Sequence, residues 1–231
     1  MSQSPPVIIP TCNRYVWATR PFAYLFNIYW SSLQEVIVFG YDKPEFQLPR
    51  NFTFISLDDH NYPAEKWSDG LIKGLSLLTD DHVVIMLEDY WLNRTVDCRG
   101  VMACFDFMQH DSTILRCDLT TDRLYSGRMI DYTAFGCYDI IITPWDTPYQ
   151  ISLQAGLWNR RNLLKVLKPD MSPWNFELQA TCPPDMKVIG TRQYPVRYIN
   201  AFKGGDTNKV LNLDQLPEEH ANFIRSKGWL P

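Results

Sequence analysis

The chain has 231 residues, 45% hydrophobic and 21% charged, which is enough for one full core and short for two. An aromatic share of 14% excludes a disordered or low-complexity tail as its main content. A net charge of −4, with both signs mixed along the chain, advertises no broad phosphate-backbone footprint and ranks nucleic acid behind small ligands as a partner.

Residues 1–6 carry neither a basic region nor an apolar signal core, so a cytoplasmic protein is expected. Short apolar runs then alternate with segments of helical period, the pattern of an α/β domain with a largely parallel sheet. Strands are expected at 7–10, 35–39, 52–57 and 82–87, each rich in Val, Ile or Phe. A helix entered at Pro21 carries Phe22, Leu25, Phe26 and Tyr29 on one stripe. A second places Trp67, Leu71, Leu75 and Leu78 on one face and leaves Lys66, Asp69 and Lys73 for others.

Beyond these, 96–109 reads as a helix and 113–117 as a strand. Short strands at 132–135, 138–143 and 150–153 and a short helix at 161–167 follow in a less regular half. Ser172 and Pro173 read as the cap and first residue of a helix over 173–181, and a last helix is expected near 217–227. No apolar run approaches the roughly 20 residues of a bilayer-spanning helix. The six cysteines form no Cys-x-x-Cys pair, which excludes a spelled-out zinc ribbon or redox motif and suggests reduced, mostly buried side chains.

Three segments could carry chemistry. The strand through Val83 and Leu87 runs into Glu88, Asp89, Tyr90 and Trp91, and in open α/β sheets ligands sit beyond the carboxyl ends of strands. Two carboxylates there repel unless a cation compensates, which favours Mg²⁺ or Mn²⁺. Neighbours on a regular strand face opposite ways, so Asp89 is the expected metal ligand, with Glu88 behind it. The same pair reads equally as a solvated, helix-capping strand end. The second segment, Val7 to Arg14, is an apolar strand entering a small polar turn; alone it is compatible with an ordinary strand edge. The third joins Gln154, Trp158 and Asn159 to Trp174, Phe176 and Glu177. Its indoles suit sugar rings and its glutamate a general base, while the plainer reading makes the tryptophans core and Glu177 a helix-dipole acid.

Taken together, these segments resemble a nucleotide-sugar-dependent glycosyltransferase of the GT-A fold, similar to the large inverting bacterial and viral class. The likeness rests on Ile9-Pro10-Thr11-Cys12-Asn13-Arg14, Leu87-Glu88-Asp89, Ser152-Leu153-Gln154 with Trp158, and Ser172-Pro173-Trp174-Asn175-Phe176-Glu177. It implies a Rossmann-related mixed, mainly parallel sheet flanked by helices in one domain over 1–231. Residues 1–110 would form the nucleotide-sugar half, 111–203 the acceptor and catalytic half, and 204–231 a tail.

The resemblance puts Pro10, Thr11, Asn13, Arg14, Asp42, Asp69, Glu88 and Lys203 on the donor nucleotide and Asp89 on a divalent metal. Trp91, Gln154, Trp158 and Trp174 would face sugar or acceptor, and Glu177 would be the catalytic base. Glu88-Asp89 is not a literal Asp-x-Asp, and the second strand ends in Gly40-Tyr41-Asp42 rather than the acidic pair usual in this class. His220 reads as part of a solvated helix start. The implied activity is hexosyl transfer from a UDP-sugar or related donor to an acceptor hydroxyl, in the cytoplasm of a bacterium or a virus-infected cell. The competing readings are transfer to hydroxymethylated bases of DNA and a non-catalytic domain that binds a glycan or protein.

Overall fold

Strand β1 (Val7–Pro10) is buried along its whole length, as an unbroken Val-Ile-Ile-Pro run requires of a strand inside a parallel sheet. The structure, a computed structural model, describes residues 4–57, 66–121, 128–202 and 211–231. Parallel to β1 lie β2 (Val36–Gly40) on one side and β4 (His82–Ile85) on the other, with β3 (Phe52–Ser56) outside β2. Side-chain alternation then decides the layers. Val7, Ile9, Val36 and Val38 meet α1 (Thr19–Tyr29) on one face, while Ile8, Ile37 and Phe39 meet α2 (Trp67–Ser76) on the other.

The sheet continues as β9 (Gly156–Asn159), β6 (Ile114–Asp118), β10 (Lys187–Thr191), β8 (Tyr138–Ile142) and β7 (Ile130–Phe135), for nine strands in the order β3-β2-β1-β4-β9-β6-β10-β8-β7. Only β8 and β9 run against the rest, so the sheet is mixed and mainly parallel, as expected. Helix α3 (Cys98–Gln109) joins α1 on one face; α4 (Arg160–Val166) and α5 (Pro173–Gln179) join α2 on the other. A separate antiparallel ribbon pairs β5 (Tyr90–Leu92) with β11 (Tyr198–Asn200). The last helix, α6 (Glu218–Ser226), docks on α1, where the Tyr24 hydroxyl and His220 Nδ1 lie 3.0 Å apart. His220 is thus half-buried between elements rather than a solvated helix start.

Local signals are realised where the sequence spelled them. Ser172 Oγ accepts from the Asn175 amide at 3.1 Å with Pro173 as first helical residue, and an Asp97 carboxylate oxygen accepts from Gly100 N at 3.0 Å to cap α3. Residues 150–153, expected as a strand, are irregular. Apolar Ile151 and Leu153 alternate in sequence with polar Gln150 and Ser152, which mimics a strand, but all four are buried and the local amides bond to side chains: Leu153 N donates to Glu177 Oε1 and Gln154 N to Ser152 Oγ. The strand begins instead at Gly156, and β5, β10 and β11 were not expected at all. Of the cysteines, only Cys104 and Cys117 are buried; Cys98 and Cys137 are exposed. No described helix is long and apolar enough to cross a membrane.

Candidate functional site

The carboxyl ends of β1, β2 and β4 lie side by side at one edge of the sheet, where Thr11 N donates to Phe39 O at 2.8 Å and Met86 N to Ile8 O at 3.0 Å. After β1 the chain folds back at once, because Tyr15 N and Val16 N both donate to Cys12 O at 2.9 Å and the next turn enters α1. Pro10 and Thr11 are buried at this edge, and Asn13 and Arg14 face solvent. Asn13 reaches the β2 turn, its Nδ2 donating to Asp42 Oδ2 at 2.5 Å while Asp42 N donates to Asn13 Oδ1 at 2.9 Å. Gly40 precedes that turn where a Cβ would stand 2.7 Å from the Phe54 ring, so a side chain there would displace β3's aromatic.

Beyond β4, Glu88 and Asp89 occupy a tight turn rather than the strand. Tyr90 N donates to Leu87 O at 3.0 Å, and the Asp89 carbonyl accepts from Trp91 N at 3.1 Å and Ala201 N at 2.8 Å. Strand alternation therefore does not separate the two acids, and both stand as candidates. Burial, then repulsion from Asp89, pushes the Glu88 carboxyl up to about 8, partly offset by its own backbone amide and by the nearby Thr11 hydroxyl. Burial pushes Asp89 up to about 7, and burial together with Glu88 raises the Cys12 thiol.

This is the electrostatic setting a divalent cation would relieve. Among the described residues no group of three or more His, Cys, Asp and Glu is placed to hold one. Two carboxylates suffice for Mg²⁺ or Mn²⁺ only where substrate oxygens and water complete the shell. With that completion, the hard oxygen donors of Glu88 and Asp89 fit such an ion.

Gln154 is the hub of the second half. Its Nε2 donates to Tyr90 Oη at 3.3 Å, its Oε1 accepts from Tyr198 Oη, and its carbonyl accepts from Arg116 Nη2 at 2.9 Å. The Tyr90 and Tyr198 rings stack with centroids 4.3 Å apart, which welds β5 to β11 in front of the sheet. Gln154 and Tyr198 also line a polar cavity of 420 Å³ with Asn93, Arg94, Thr120 and Arg197.

Other expectations change place. Trp91 and Trp158 have no exposed surface and are core residues, not walls of a sugar site. Trp91 donates its indole N–H to Glu88 O at 3.0 Å, and Trp158 lies 5.1 Å under the Arg116 guanidinium. Trp174 is 55% exposed on the first turn of α5. Asp69 Oδ2 accepts from Asp170 N at 2.8 Å and serves the junction before α5 rather than the donor turns. Lys203 lies outside the described residues. Glu177 Oε1 accepts from Leu153 N at 2.6 Å, tying α5 to the Gln154 loop.

Several polar residues at this edge escaped the sequence reading. Arg116 and Asp118, a fully buried ion pair on β6, were announced only by the acid closing an Ile-Leu-Arg-Cys-Asp strand. Arg94 and Arg197 carry no local signal; the β5–β11 pairing brings them to one cavity.

The sequence matches no family model and no curated relative. Solved structures are similar at low identity. TarS residues 1–349 from Staphylococcus aureus shares 14% identity over 80% of this chain and 58% of its own, with a TM-score of 0.45. The apo glycosyltransferase GlyE of Streptococcus pneumoniae shares 9% over 71% of this chain at 0.40, and this chain spans only 36% of its length. A CMP:2-keto-3-deoxy-manno-octonic acid synthetase complexed with CTP shares 12% over 76% of this chain and 82% of its own at 0.34. These likenesses concern the fold alone.

Proposed function

We propose that the chain is a glycosyltransferase that moves a sugar from a nucleotide diphosphate sugar, a UDP-sugar first among them, to an acceptor hydroxyl. The observation that carries this reading is the Glu88–Asp89 turn, which follows β4 at the same sheet edge as the Thr11 turn after β1. The Asn13–Asp42 clasp beside it supplies polar groups suited to a nucleoside.

Glu88 and Asp89 would hold a Mg²⁺ or Mn²⁺, which when bound offsets charge on the leaving diphosphate. The chain's own residues do the rest. The Thr11 turn brings backbone close to the nucleotide, and Gln154 is held rigid by Tyr90, Tyr198 and Arg116 to orient a sugar hydroxyl. Glu177 keeps Oε2 without a hydrogen-bond partner among the described residues, so that oxygen is the one to take the acceptor proton. In-line attack with a single base inverts the anomeric centre. The whole of 1–231 would act as one catalytic unit.

A thermal-shift panel of nucleotide diphosphates and their sugars, with and without Mn²⁺, tests the reading. A donor at 100 times its Kd should add about 2.7 kcal/mol of stability. Slow release of nucleotide diphosphate from that donor, lost in Asp89→Ala, would exclude a binding-only domain. No shift with any nucleotide would sink the transferase reading.

A further inference from the structure

The 420 Å³ cavity in front of the β5–β11 ribbon is lined by hydroxyls and amides, from Thr120, Tyr198, Asn93 and Gln154, and by two guanidinium groups, Arg94 and Arg197. Neither arginine has an ion-pair partner among the described residues, although the chain carries more acids than bases. Two unpaired cations beside a wall of hydroxyls and amides are complementary to a hydroxyl-rich molecule bearing an oxyanion. The donor-side residues Thr11, Asn13, Asp42, Glu88 and Asp89 do not line this cavity, and the Tyr90–Tyr198 stack lies at its edge.

We infer that this cavity receives an acceptor sugar carrying an anionic oxygen group, phosphate or carboxylate, gripped between Arg94 and Arg197. Calling the ligand an acceptor rests on the transferase reading; its charge and polarity rest on the cavity alone. The Arg94 and Arg197 side chains are exposed, so their replacement leaves the packed core untouched.

Isothermal titration of the full chain with glucose 6-phosphate, glucuronate, glucose and UDP tests this, with thermal melting as the check on folding. The expected result is that at least one charged sugar binds tenfold or more tighter than glucose and weakens as salt is raised. Its preference between the two charged probes tells phosphate from carboxylate. Arg94→Gln and Arg197→Gln should each weaken that binding on the order of tenfold to a hundredfold, with UDP affinity unchanged. The inference is overturned if neither charged sugar binds, if glucose binds as well, or if the variants bind the charged sugars like the native chain. A parallel loss of UDP binding in both variants would also overturn it, because the arginines would then hold the donor diphosphate. Binding of glucose 6-phosphate with no binding of any nucleotide would sink the transferase reading and leave the anionic cavity standing.

Discussion

Asn13 and Asp42 clasp each other across the carboxyl ends of β1 and β2 through two hydrogen bonds of 2.5 and 2.9 Å, side-chain amide to carboxylate and backbone amide to side-chain carbonyl. The clasp ties the turn after β1 to the turn after β2. It leaves the Asp42 carboxylate at the edge where a ribose or base would lie.

Asn13→Ala and Asp42→Ala should each cost less than about 1 kcal/mol of stability, because both side chains are exposed. Each should weaken nucleotide diphosphate binding roughly tenfold, and the double variant should be little worse than either single one. Calorimetric titration of the four proteins reads this directly. Additive losses would show that the two residues act on the ligand separately and that the clasp is incidental.

Glu88 is buried beside a second carboxylate, and its own backbone amide and the Thr11 hydroxyl compensate only in part, so its charge opposes folding in the free protein. Glu88→Gln, which keeps the shape and removes the charge, should leave the free protein's Tm unchanged or raised. It should reduce the stabilisation that a donor and Mn²⁺ give together, and slow transfer at least tenfold. A fall in Tm of several degrees with full transfer would mean that the carboxylate serves structure instead.

The first half of the fold was legible because its strands are continuous apolar runs and its helices have period 3.6. Both signals are local. β9, β10 and the β5–β11 ribbon were not, because each is defined by what it pairs with. Gly156–Asn159 is a strand because it is wedged antiparallel between β4 and β6. The same holds for the site. Glu88, Asp89 and Ser172 announce themselves by neighbours in sequence, whereas Arg94 and Arg197 meet only through Tyr198 pairing with Leu92. Trp91 and Trp158 misled for the converse reason: a tryptophan beside polar residues looks like a ligand wall until burial shows it filling the core.

Arg116 and Asp118 form an ion pair with essentially no exposed surface, and Arg116 also stacks on Trp158 and holds the Gln154 carbonyl. Removing one partner strands the other charge in the core. Asp118→Ala should therefore cost about 3–5 kcal/mol by urea unfolding. Gly156→Ala should also destabilise, since its Cβ would sit 2.9 Å from Arg116 Nε. If Asp118→Ala were neutral, the pair would not be anchoring this strand end.

Lys187 and Asp111 pair at 2.9 Å across the start of β10, 33% and 25% exposed. Burial alone would raise the Asp111 carboxyl, but bonds from Lys187 and Thr113 outweigh it and the net shift is downward; the bond to Asp111, and then one to Tyr132, raises Lys187. A lowered carboxyl contributes stability above its unfolded value and loses it as pH falls through the folded one. A raised amine contributes below its unfolded value and loses that stability as pH rises through the folded one. The pair thus stabilises between about pH 4 and pH 10, by no more than about 1 kcal/mol at this exposure. Asp111→Asn should flatten the acid limb of a Tm-versus-pH curve. An unchanged limb would show that other carboxylates set acid stability.

Glu177 has one observed role and one proposed role, and one substitution can separate them. Its Oε1 accepts from Leu153 N at 2.6 Å and so fastens α5 to the loop that presents Gln154. Its Oε2 is the oxygen assigned to the acceptor proton. Glu177→Gln keeps a carbonyl oxygen for the Leu153 amide while abolishing the base, so the fold and donor affinity should survive and transfer should fall by about 10²–10⁴. Glu177→Ala removes both, and should in addition lower Tm and weaken whatever ligand depends on Gln154. Near-normal transfer by Glu177→Gln, with an intact melt and unchanged donor binding, would leave the glutamate as a fastener alone and send the search for the base to Glu88 and Asp89.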